Sequence, residues 1–440
     1  ILVTGTEVLS GIISDRNGPW LSGELAALGV DVAVIEVVGD RPEDLLGALR
    51  HMAQDGLALI VTSGGLGPTA DDLTAEIVGR FTGRPMVLDP ELEERIAEIL
   101  RPMMERWPGL DLEAVRESNR KQAVIPEGAT VLDPIGTAPG LVVPPAEGDA
   151  GVGGAGAVGG AGAVGQGAGP TVVVLPGPPR ELQPMWRAAV ETEAFRRAIA
   201  GAPEYRVRVA RLFGIPESEI AATLRAAAEA GLTLDPLEIT TCLRRGEVEI
   251  STRFELEYED AYDALLRFVA DRHGDALFSP EGETIDEQVV ELLSGLTVSV
   301  AESCTGGLLA ARLTDRPGSS HYFAGGVVVY SNEAKQSLVG VDPELIERHG
   351  AVSVEVAQAL AAGARSRFSS SVGIGITGIA GPGGGSEEKP VGLVCFSVAG
   401  PGEGSLTRSA RLPGGRSDIR DRSTTVALHM LARALRGEHD

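Results

Sequence analysis

Short apolar runs alternate with helix-like segments at both ends of this chain, and that alternation constrains the fold more than any other feature. Near the N-terminus it predicts a strand at 32–38, a helix at 42–52 and a second strand at 57–62. The same order returns where the apolar run 296–300 precedes a glycine turn and a helix that begins at Leu308. Strands that alternate with helices form parallel sheets with helices on both faces. The chain is therefore predicted to be an α/β protein.

Changes in composition along the chain predict three domains. Residues 1–202 and 281–440 each alternate strands with helices, and residues 203–280 form a small α+β unit between them. Residues 146–170 are almost wholly Gly, Ala and Val, a composition that forms no core, so we interpret them as a disordered, flexible insertion in the first domain. The predicted architecture is two three-layer α/β/α domains with mainly parallel sheets, joined by the small unit.

The overall composition argues against several classes of partner. The net charge is −24, which disfavours nucleic acid because phosphate binding needs clustered Lys and Arg. No apolar run reaches the roughly 18 residues that span a bilayer. The three cysteines (Cys242, Cys304, Cys395) lie far apart, so neither a disulfide framework nor a CxxC metal site is indicated. A reducing cytosol is the simplest setting, and the chain is predicted to be cytoplasmic with no nucleic-acid or membrane partner.

The first candidate site is the turn 302–307, which follows a predicted strand and opens a helix. It brings the Ser303 hydroxyl and the Cys304 thiol to a helix start, where unpaired N–H donors suit a nucleophile or an anion. A serine needs a base, and Lys335 is the candidate because a partly desolvated lysine has a lowered pKa. Tyr330 is expected to relay or orient that proton.

Glycines and arginines elsewhere in the C-terminal region add to this pattern. Backbone N–H groups near Gly306 or Gly378 are expected to stabilise an oxyanion. Arg416 and Arg420 lie one helical turn apart, and such a pair suits a phosphate monoester. Together these residues indicate acyl-type hydrolysis.

Each of these residues also has an ordinary structural explanation. Ser303 and Thr305 are typical helix-capping residues. Cys304 is either a rival nucleophile at a helix start or a small buried apolar side chain. Lys335 is alternatively a solvated helix residue. The residue pattern by itself leaves these alternatives open.

Five motifs within residues 281–430 identify a family. They are 301–307 (AESCTGG), 330–335 (YSNEAK), 349–353 (HGAVS), 378–382 (GIAGP) and 386–392 (SEEKPVG). Together they resemble the CinA C-terminal family. The resemblance implies a nicotinamide-nucleotide amidase that converts nicotinamide mononucleotide to nicotinic acid mononucleotide and ammonia, without a metal or other cofactor. It makes Ser303 the nucleophile and Lys335 the general base, supported by Tyr330 and Thr305. The implied substrate-binding residues are Gly306, Gly307, Asn332, Thr377, Gly378, Ile379, Ala380 and Gly381, with Arg416 and Arg420 for the phosphate.

The second candidate site is a glycine-rich turn at 63–74 that follows a predicted strand. Its glycines, Gly64, Gly65 and Gly67, let the backbone approach an anion closely, although no Gly-Lys-Ser/Thr follows as in a P-loop. Asp71 and Asp72 beside such a turn indicate a divalent cation that bridges to phosphate oxygens. Alternatively, Thr69 or Asp71 caps the helix and Asp72 complements its dipole.

This turn, with 5–11 (GTEVLSG) and 175–179 (LPGPP), resembles the molybdopterin-binding-like N-terminal domain of full-length CinA proteins, and Asn17 and 119–122 fit the same pattern. The resemblance implies an ADP-ribose pyrophosphatase that uses a divalent metal and potassium, with Glu7 added to its phosphate and metal site. It also implies a KH-like connector at 203–280 and a homodimer. The alternative is a non-catalytic module for pterin or nucleotide binding and dimerisation. A competence or DNA-damage role would follow only indirectly, from nucleotide recycling.

Overall fold

The computed structural model describes residues 1–69, 71–106, 112–145, 169–400 and 404–438. The predicted insertion at 146–170 lies outside these residues except for its last two positions. The chain divides into two compact units, Ile1–Tyr205 and Arg206–Asp440. The second unit contains both the predicted connector and the predicted C-terminal domain, and the division into three domains stays a prediction.

The first unit alternates strands and helices along most of its length. Its strands are β1 (Leu2–Thr4), β2 (Glu36–Val38), β3 (Leu59–Ser63), β4 (Met86–Leu88), β5 (Val124–Pro126), β6 (Thr130–Leu132), β7 (Gly140–Val143) and β8 (Thr171–Leu175). Its helices are α1 (Thr6–Leu9), α2 (Asn17–Ala27), α3 (Pro42–Gln54), α4 (Thr74–Phe81), α5 (Pro90–Arg106), α6 (Leu112–Gln122), α7 (Pro179–Ala189) and α8 (Glu193–Ala198).

The main sheet of the first unit has the strand order β2-β1-β3-β8-β7-β6. β2, β1, β3 and β8 are parallel, and β7 and β6 are antiparallel additions at one side. The strand predicted at 32–38 forms only at Glu36–Val38, because it lies at the sheet edge and its one partner there, β1, is three residues long. The carboxyl ends of β1, β3 and β8 meet at one edge, which brings together the loops that follow them.

The second unit begins with a small antiparallel sheet and continues into a larger one. Its strands are β9 (Tyr205–Phe213), β10 (Glu238–Arg244), β11 (Glu247–Glu255), β12 (Leu277–Ser279), β13 (Val298–Glu302), β14 (Phe323–Val328), β15 (Val372–Gly378), β16 (Leu393–Ala399) and β17 (Ser405–Arg411). Its helices are α9 (Glu217–Glu229), α10 (Glu259–His273), α11 (Ile285–Leu292), α12 (Leu308–Thr314), α13 (Asn332–Val339), α14 (Pro343–His349), α15 (Val354–Phe368) and α16 (Arg416–Arg436).

The larger sheet has the order β14-β13-β15-β16-β17, and it is parallel on one side and antiparallel on the other. Parallel neighbours need a crossover helix, and no helix is described between β15 and β16 or between β16 and β17. The smaller sheet has the order β10-β11-β9-β12. The predicted α/β class is confirmed.

Helices cover both faces of the larger sheet, and β13 shows why. Every residue of this strand is buried. Val298 and Val300 pack with α11 and α16, whereas Ala301 packs with α13 and α15. Side chains alternate between the two faces of a strand, so neighbouring residues of β13 serve opposite cores. None of the helices in the described part of the chain has the length and apolar composition that a membrane span requires.

Candidate active sites

Ser303 lies where β13 ends and the chain turns toward α12. Its N–H donates to the Ile376 carbonyl at 2.9 Å, which extends the pairing of β13 with β15 by one residue. Gly306 and Gly307 then take positive φ values of 61° and 97°, a conformation that favours glycine and closes the turn. The predicted order of strand, turn and helix is present. It presents Ser303, only 8% exposed, at the carboxyl edge of the sheet.

Lys335 reaches Ser303 from the neighbouring strand connection. The Ser331 side chain accepts the Ala334 N–H and so caps α13, which places Lys335 in its first turn. The Lys335 Nζ lies 3.4 Å from the Ser303 Oγ, 3.3 Å from the Tyr330 carbonyl and 3.5 Å from the Ser331 carbonyl. Lys335 is 2% exposed. The alternative interpretation of Lys335 as a solvated helix residue is wrong.

Burial lowers the pKa of Lys335, because desolvation penalises the ammonium more than the neutral amine. The negative charges of Cys304, when ionised, and of Glu333 act in the opposite direction and raise that pKa. Desolvation dominates, so the neutral amine is more populated than in a solvated lysine. A neutral amine within reach of a serine hydroxyl can serve as a general base.

Cys304 is a weaker nucleophile than its position suggests. Its side chain is 5% exposed, and burial raises the pKa of the thiol to about 12. The thiolate is the reactive form of cysteine, and it is scarcely populated at neutral pH with such a pKa. This favours Ser303 as the nucleophile of the turn.

Glu302 has a role that the sequence analysis missed. Its side chain is fully buried and its carboxylate accepts N–H groups from Gly307 at 3.0 Å, Leu309 at 3.1 Å and Ala310 at 2.8 Å. A carboxylate is well suited to the positive end of a helix dipole. Glu302 therefore satisfies the start of α12, and neither Ser303 nor Thr305 caps that helix. The one clue in the sequence was an acidic residue at the last position of an apolar strand.

Thr305, a predicted supporting residue, is fully buried. Its hydroxyl has no hydrogen-bond partner among the described residues. Buried hydroxyls are nearly always paired, so this one is available to a water molecule or a substrate group.

The two arginines at the start of α16 bind different loops. Arg416 donates to the Gly381 carbonyl at 2.8 Å and to the Tyr330 hydroxyl at 3.1 Å. Arg420 donates to the Cys304 carbonyl at 3.1 Å and to the Thr305 carbonyl at 2.9 Å. Tyr330 is 60% exposed, and it contacts Lys335 through its backbone carbonyl rather than through its hydroxyl.

The predicted substrate loop, 377–381, is held by the segment 349–352. The Thr377 hydroxyl donates to the Ala351 carbonyl at 2.7 Å. The Lys389 Nζ donates to the His349 carbonyl at 2.6 Å and to the Val352 carbonyl at 2.7 Å. This role of Lys389 was not predicted from the sequence. Ala380 and Gly381 are buried and Gly378 and Ile379 are partly exposed. Asn332 is exposed, and no side-chain hydrogen bond of Asn332 is found among the described residues.

The second candidate site is a cavity of about 380 Å³ at the carboxyl edge of the first unit's sheet. Its lining includes the predicted residues Glu7, Gly64, Gly65, Gly67, Asp71 and Asp72. Thr69 is not part of the lining, and its N–H donates to the Asp72 carboxylate at 2.9 Å. Asp40 and Glu181 also line the cavity and were missed by the sequence analysis. Asp40 follows β2 in the chain and Glu181 follows β8. An acidic residue shortly after a strand was therefore the signal that could have found them.

Hydrogen bonds hold these loops at the cavity. Asp40 accepts the Thr6 N–H at 2.9 Å and its hydroxyl at 2.7 Å. The amide of Asn17 donates to the Ser63 hydroxyl at 2.8 Å and to the Gly177 carbonyl at 2.6 Å, so it joins the end of β3 to the loop after β8. The Thr69 hydroxyl donates to the Asp72 carboxylate, and its proximity also lowers the pKa of Asp71.

The donor set at this cavity fits a cation that is shared with a ligand. Across the described residues, no group of three or more His, Cys, Asp or Glu side chains is placed to hold a metal ion. Magnesium is usually held by one or two carboxylates together with substrate phosphates. Asp71 and Asp72 fit that mode. Gly67 leaves room for the Asp72 carboxylate, because a Cβ at position 67 would lie 2.4 Å from one of its oxygens.

Comparisons with known proteins agree with the resemblance found in both halves of the chain. Residues 282–435 match the family described as "CinA C-terminal domain", and residues 1–196 match the one described as "Probable molybdopterin binding domain". The chain is 57% identical over 435 residues to a CinA-like protein from Mycobacterium sp. (strain MCS), which covers 99% of this chain and 98% of that protein.

A CinA-like protein from Mycolicibacterium vanbaalenii is 58% identical over 437 residues, and the alignment again covers 99% of this chain and 98% of the relative. Among solved structures, the competence/damage inducible protein CihA from Agrobacterium tumefaciens is 42% identical. That match covers 34% of this chain and 95% of the other, with a TM-score of 0.33.

Proposed function

The chain belongs to the CinA family, and we propose that its second unit is a nicotinamide-nucleotide amidase that hydrolyses nicotinamide mononucleotide to nicotinic acid mononucleotide and ammonia. The observation that carries this proposal is the contact between the Lys335 Nζ and the Ser303 Oγ, 3.4 Å apart. A serine, a buried lysine within its reach and an unpaired hydroxyl beside them, that of Thr305, fit the requirements of acyl transfer.

The surroundings of Lys335 suit a base that alternates between two protonation states. A neutral amine has two N–H donors and one lone pair. The carbonyls of Tyr330 and Ser331 can accept the two donors, which leaves the lone pair for the Ser303 hydroxyl. The desolvation that lowers the pKa of Lys335 favours this neutral form.

The proposed reaction proceeds in two acyl-transfer steps. Lys335 accepts the hydroxyl proton as the Ser303 Oγ attacks the carboxamide carbon. The lysine ammonium then protonates the departing nitrogen, the C–N bond breaks, and ammonia leaves an acyl ester on Ser303. Water attacks that ester, with Lys335 again accepting and returning a proton, and nicotinic acid mononucleotide is released. No step calls for a metal.

Arg416 is the residue that we assign to the substrate phosphate. It is exposed, and its guanidinium uses two donors on the Gly381 carbonyl and the Tyr330 hydroxyl. A guanidinium has five N–H donors, so three remain for phosphate oxygens. Its contact with Gly381 places this charge beside the loop proposed to hold the rest of the substrate.

The test of this function is ammonia release from nicotinamide mononucleotide by the full chain, without added metal. We expect the wild-type protein to release ammonia and Ser303→Ala to retain only a residual rate, at least about 10⁴-fold below that of the wild type. Ser370→Ala is a matched control, because Ser370 is a buried serine whose hydroxyl bonds Ser299 and Val372 and no other residue in the described part of the chain. Absence of ammonia from folded wild-type protein, or unchanged activity in Ser303→Ala, would contradict the proposal.

We propose a second activity for the first unit, metal-dependent ADP-ribose pyrophosphatase. The observation that favours it is the cavity lined by five carboxylates, those of Glu7, Asp40, Asp71, Asp72 and Glu181. Such a lining would repel a pyrophosphate unless cations compensate its charge. A divalent cation held by Asp71 and Asp72 would neutralise the phosphates and polarise the bond that breaks.

Products distinguish this activity from a non-catalytic binding module. We expect AMP and ribose 5-phosphate from ADP-ribose with magnesium, and loss of both in Asp72→Ala while ammonia release from the second unit is kept. Replacing potassium by sodium tests the proposed assistance by potassium. Saturable binding of ADP-ribose without products would favour the binding module, and undiminished cleavage by Asp72→Ala would contradict the metal site.

A further inference from the structure

We propose that the oxyanion hole of this amidase is formed by the backbone N–H groups of Cys304 and Thr305, and that Arg420 is the residue that positions them. This inference rests on the proposed amidase function. It gives Arg420 a different role from the phosphate contact that the sequence analysis expected.

The argument begins with an account of the N–H groups in the turn. Ser303 donates to the Ile376 carbonyl, and Gly306 donates to the Ser303 carbonyl at 3.1 Å. The three N–H groups that Glu302 accepts lie further along, at Gly307, Leu309 and Ala310, and Leu308 donates to the Thr305 carbonyl. The N–H groups of Cys304 and Thr305 remain. Neither donates to an oxygen among the described residues, and the one group that they approach is the Cys304 thiol, a weak acceptor.

Two N–H groups without an oxygen acceptor next to a buried serine are unusual, because buried backbone donors are almost always paired. These two directly follow the proposed nucleophile in the chain. In acyl transfer the developing oxyanion sits beside the attacking oxygen, and backbone N–H groups are its common donors. The N–H groups at the start of α12 are not available to an oxyanion, because Glu302 already accepts them.

The peptide planes that carry these donors are both held at their carbonyl ends. In a trans peptide the N–H and the C=O point in opposite directions. The Ser303 carbonyl accepts the Gly306 N–H, which sets the orientation of the Cys304 N–H. The Cys304 carbonyl accepts the Arg420 Nε, which sets the orientation of the Thr305 N–H. A donor held in advance does not reorganise during the reaction, and that is the source of oxyanion-hole catalysis.

The Arg420 guanidinium packs against the turn 304–306 and bonds its backbone. Its second bond, to the Thr305 carbonyl, fixes the next peptide, and its Nη2 would lie 3.3 Å from a Cβ at Gly306. In the part of the chain that the structure describes, no carboxylate forms an ion pair with Arg420. Its positive charge acts on this turn against that of the Glu302 carboxylate, as their opposite effects on the pKa of the Cys304 thiol show, and it favours an anion at this position.

The rival role for the two N–H groups is stabilisation of a Cys304 thiolate. Both lower the pKa of that thiol, but burial outweighs them and raises it to about 12. The thiol therefore stays protonated at neutral pH, and the two donors remain available to substrate.

The test compares Arg420→Met with Arg416→Met in the full chain. Steady-state kinetics with nicotinamide mononucleotide separate kcat from KM. The rate at which phenylmethanesulfonyl fluoride modifies Ser303 gives a second measure, because its sulfonyl oxygen occupies the same hole and the reagent carries no phosphate. Arg408→Met is the control, since Arg408 is exposed on β17 and no side-chain bond of Arg408 is found among the described residues.

We expect Arg420→Met to lower kcat about 10- to 100-fold, as misplaced catalytic groups do, with KM changed by less than about twofold. Sulfonylation of Ser303 should slow by a similar factor. Arg420→Lys, which can donate to the carbonyls but lacks the planar fork, should recover part of kcat. Arg416→Met should instead raise KM and leave sulfonylation unchanged, and Arg408→Met should change neither.

A raised KM with unchanged kcat in Arg420→Met would overturn the inference and make Arg420 a phosphate ligand. So would an unchanged sulfonylation rate with an active wild type. If the reagent does not reach Ser303 in the wild type, the split between kcat and KM decides, and if Arg420→Met does not fold, Arg420→Lys is measured in its place. A wild-type chain that releases no ammonia overturns the proposed function itself, which separates that failure from failure of this inference.

Discussion

Replacement of Lys335 by methionine is the most direct test of the proposal that Lys335 is the general base. Methionine is a flexible apolar side chain of similar length, so it can fill the pocket that now buries the amine. The Nζ contacts three oxygens, on Ser303, Tyr330 and Ser331. Of these, only the contact with Ser303 belongs to the proposed reaction. The variant should therefore lose activity much more than stability.

The contacts set the size of both effects. The Ser331 carbonyl keeps a donor, because it also accepts the backbone N–H of Lys335 at 3.1 Å. The Tyr330 carbonyl loses a long contact of 3.3 Å, which costs about 1 kcal/mol or less. Removal of a buried amine offsets that cost, because burial disfavours its charged form. We expect the free energy of unfolding to change by no more than about 1 kcal/mol, a shift of about 2–4 °C or less in Tm.

Activity should fall by the usual contribution of a general base. That contribution is about 10²- to 10⁴-fold in kcat, or roughly 3–5 kcal/mol of activation free energy. Ammonia release measures kcat, and differential scanning calorimetry measures the unfolding transition of the second unit. Lys121→Met, in the first unit, is the control for the same chemical change. Because Ser303 and Lys335 act as a unit, the double variant Ser303→Ala/Lys335→Met should be no slower than Ser303→Ala.

Two results would refute this reasoning. If Lys335→Met kept more than about a tenth of the wild-type kcat, the base would be another residue. If the double variant were about 100-fold slower than either single variant, Ser303 and Lys335 would act independently.

Three further predictions follow from the same site. Cys304→Ser should keep most of the ammonia release, because the buried thiol is not the nucleophile; loss of activity comparable to that of Ser303→Ala would contradict this. Glu333→Gln should shift the acid limb of the kcat profile to lower pH, because the Glu333 carboxylate raises the pKa of Lys335 and the neutral amine is the active form; a shift to higher pH would be inconsistent with that role. Glu302→Gln should lower the stability of the second unit by about 2–4 kcal/mol, because an amide cannot accept all three N–H groups and carries no charge for the helix dipole, and a calorimetric transition unchanged in temperature would exclude it.

The local pattern of apolar residues and glycines was sufficient to predict much of the fold. The strands and helices that flank both candidate sites were predicted from apolar runs and glycine turns, since those periodicities depend on neighbours in the sequence. The strand predicted at 57–62 forms as Leu59–Ser63, and the helix predicted at 42–52 forms as Pro42–Gln54. The length of a strand was harder to predict from the sequence, as β2 shows, because a strand extends only as far as its partner does.

The sequence by itself determined the α/β class and the family, and it singled out Ser303 and Lys335 as candidate catalytic residues, because these depend on residue order and motif spacing. Only the tertiary structure decided what those side chains contact. Ser303 and Lys335 are 32 residues apart in the chain, and the parallel pairing of β13 with β14 brings their atoms to 3.4 Å and buries the amine. Arg420 lies 116 residues from Cys304 and meets its carbonyl because α16 packs on the same sheet. Burial, and with it the pKa of a base, is set by which elements become neighbours, and no local pattern encodes that choice.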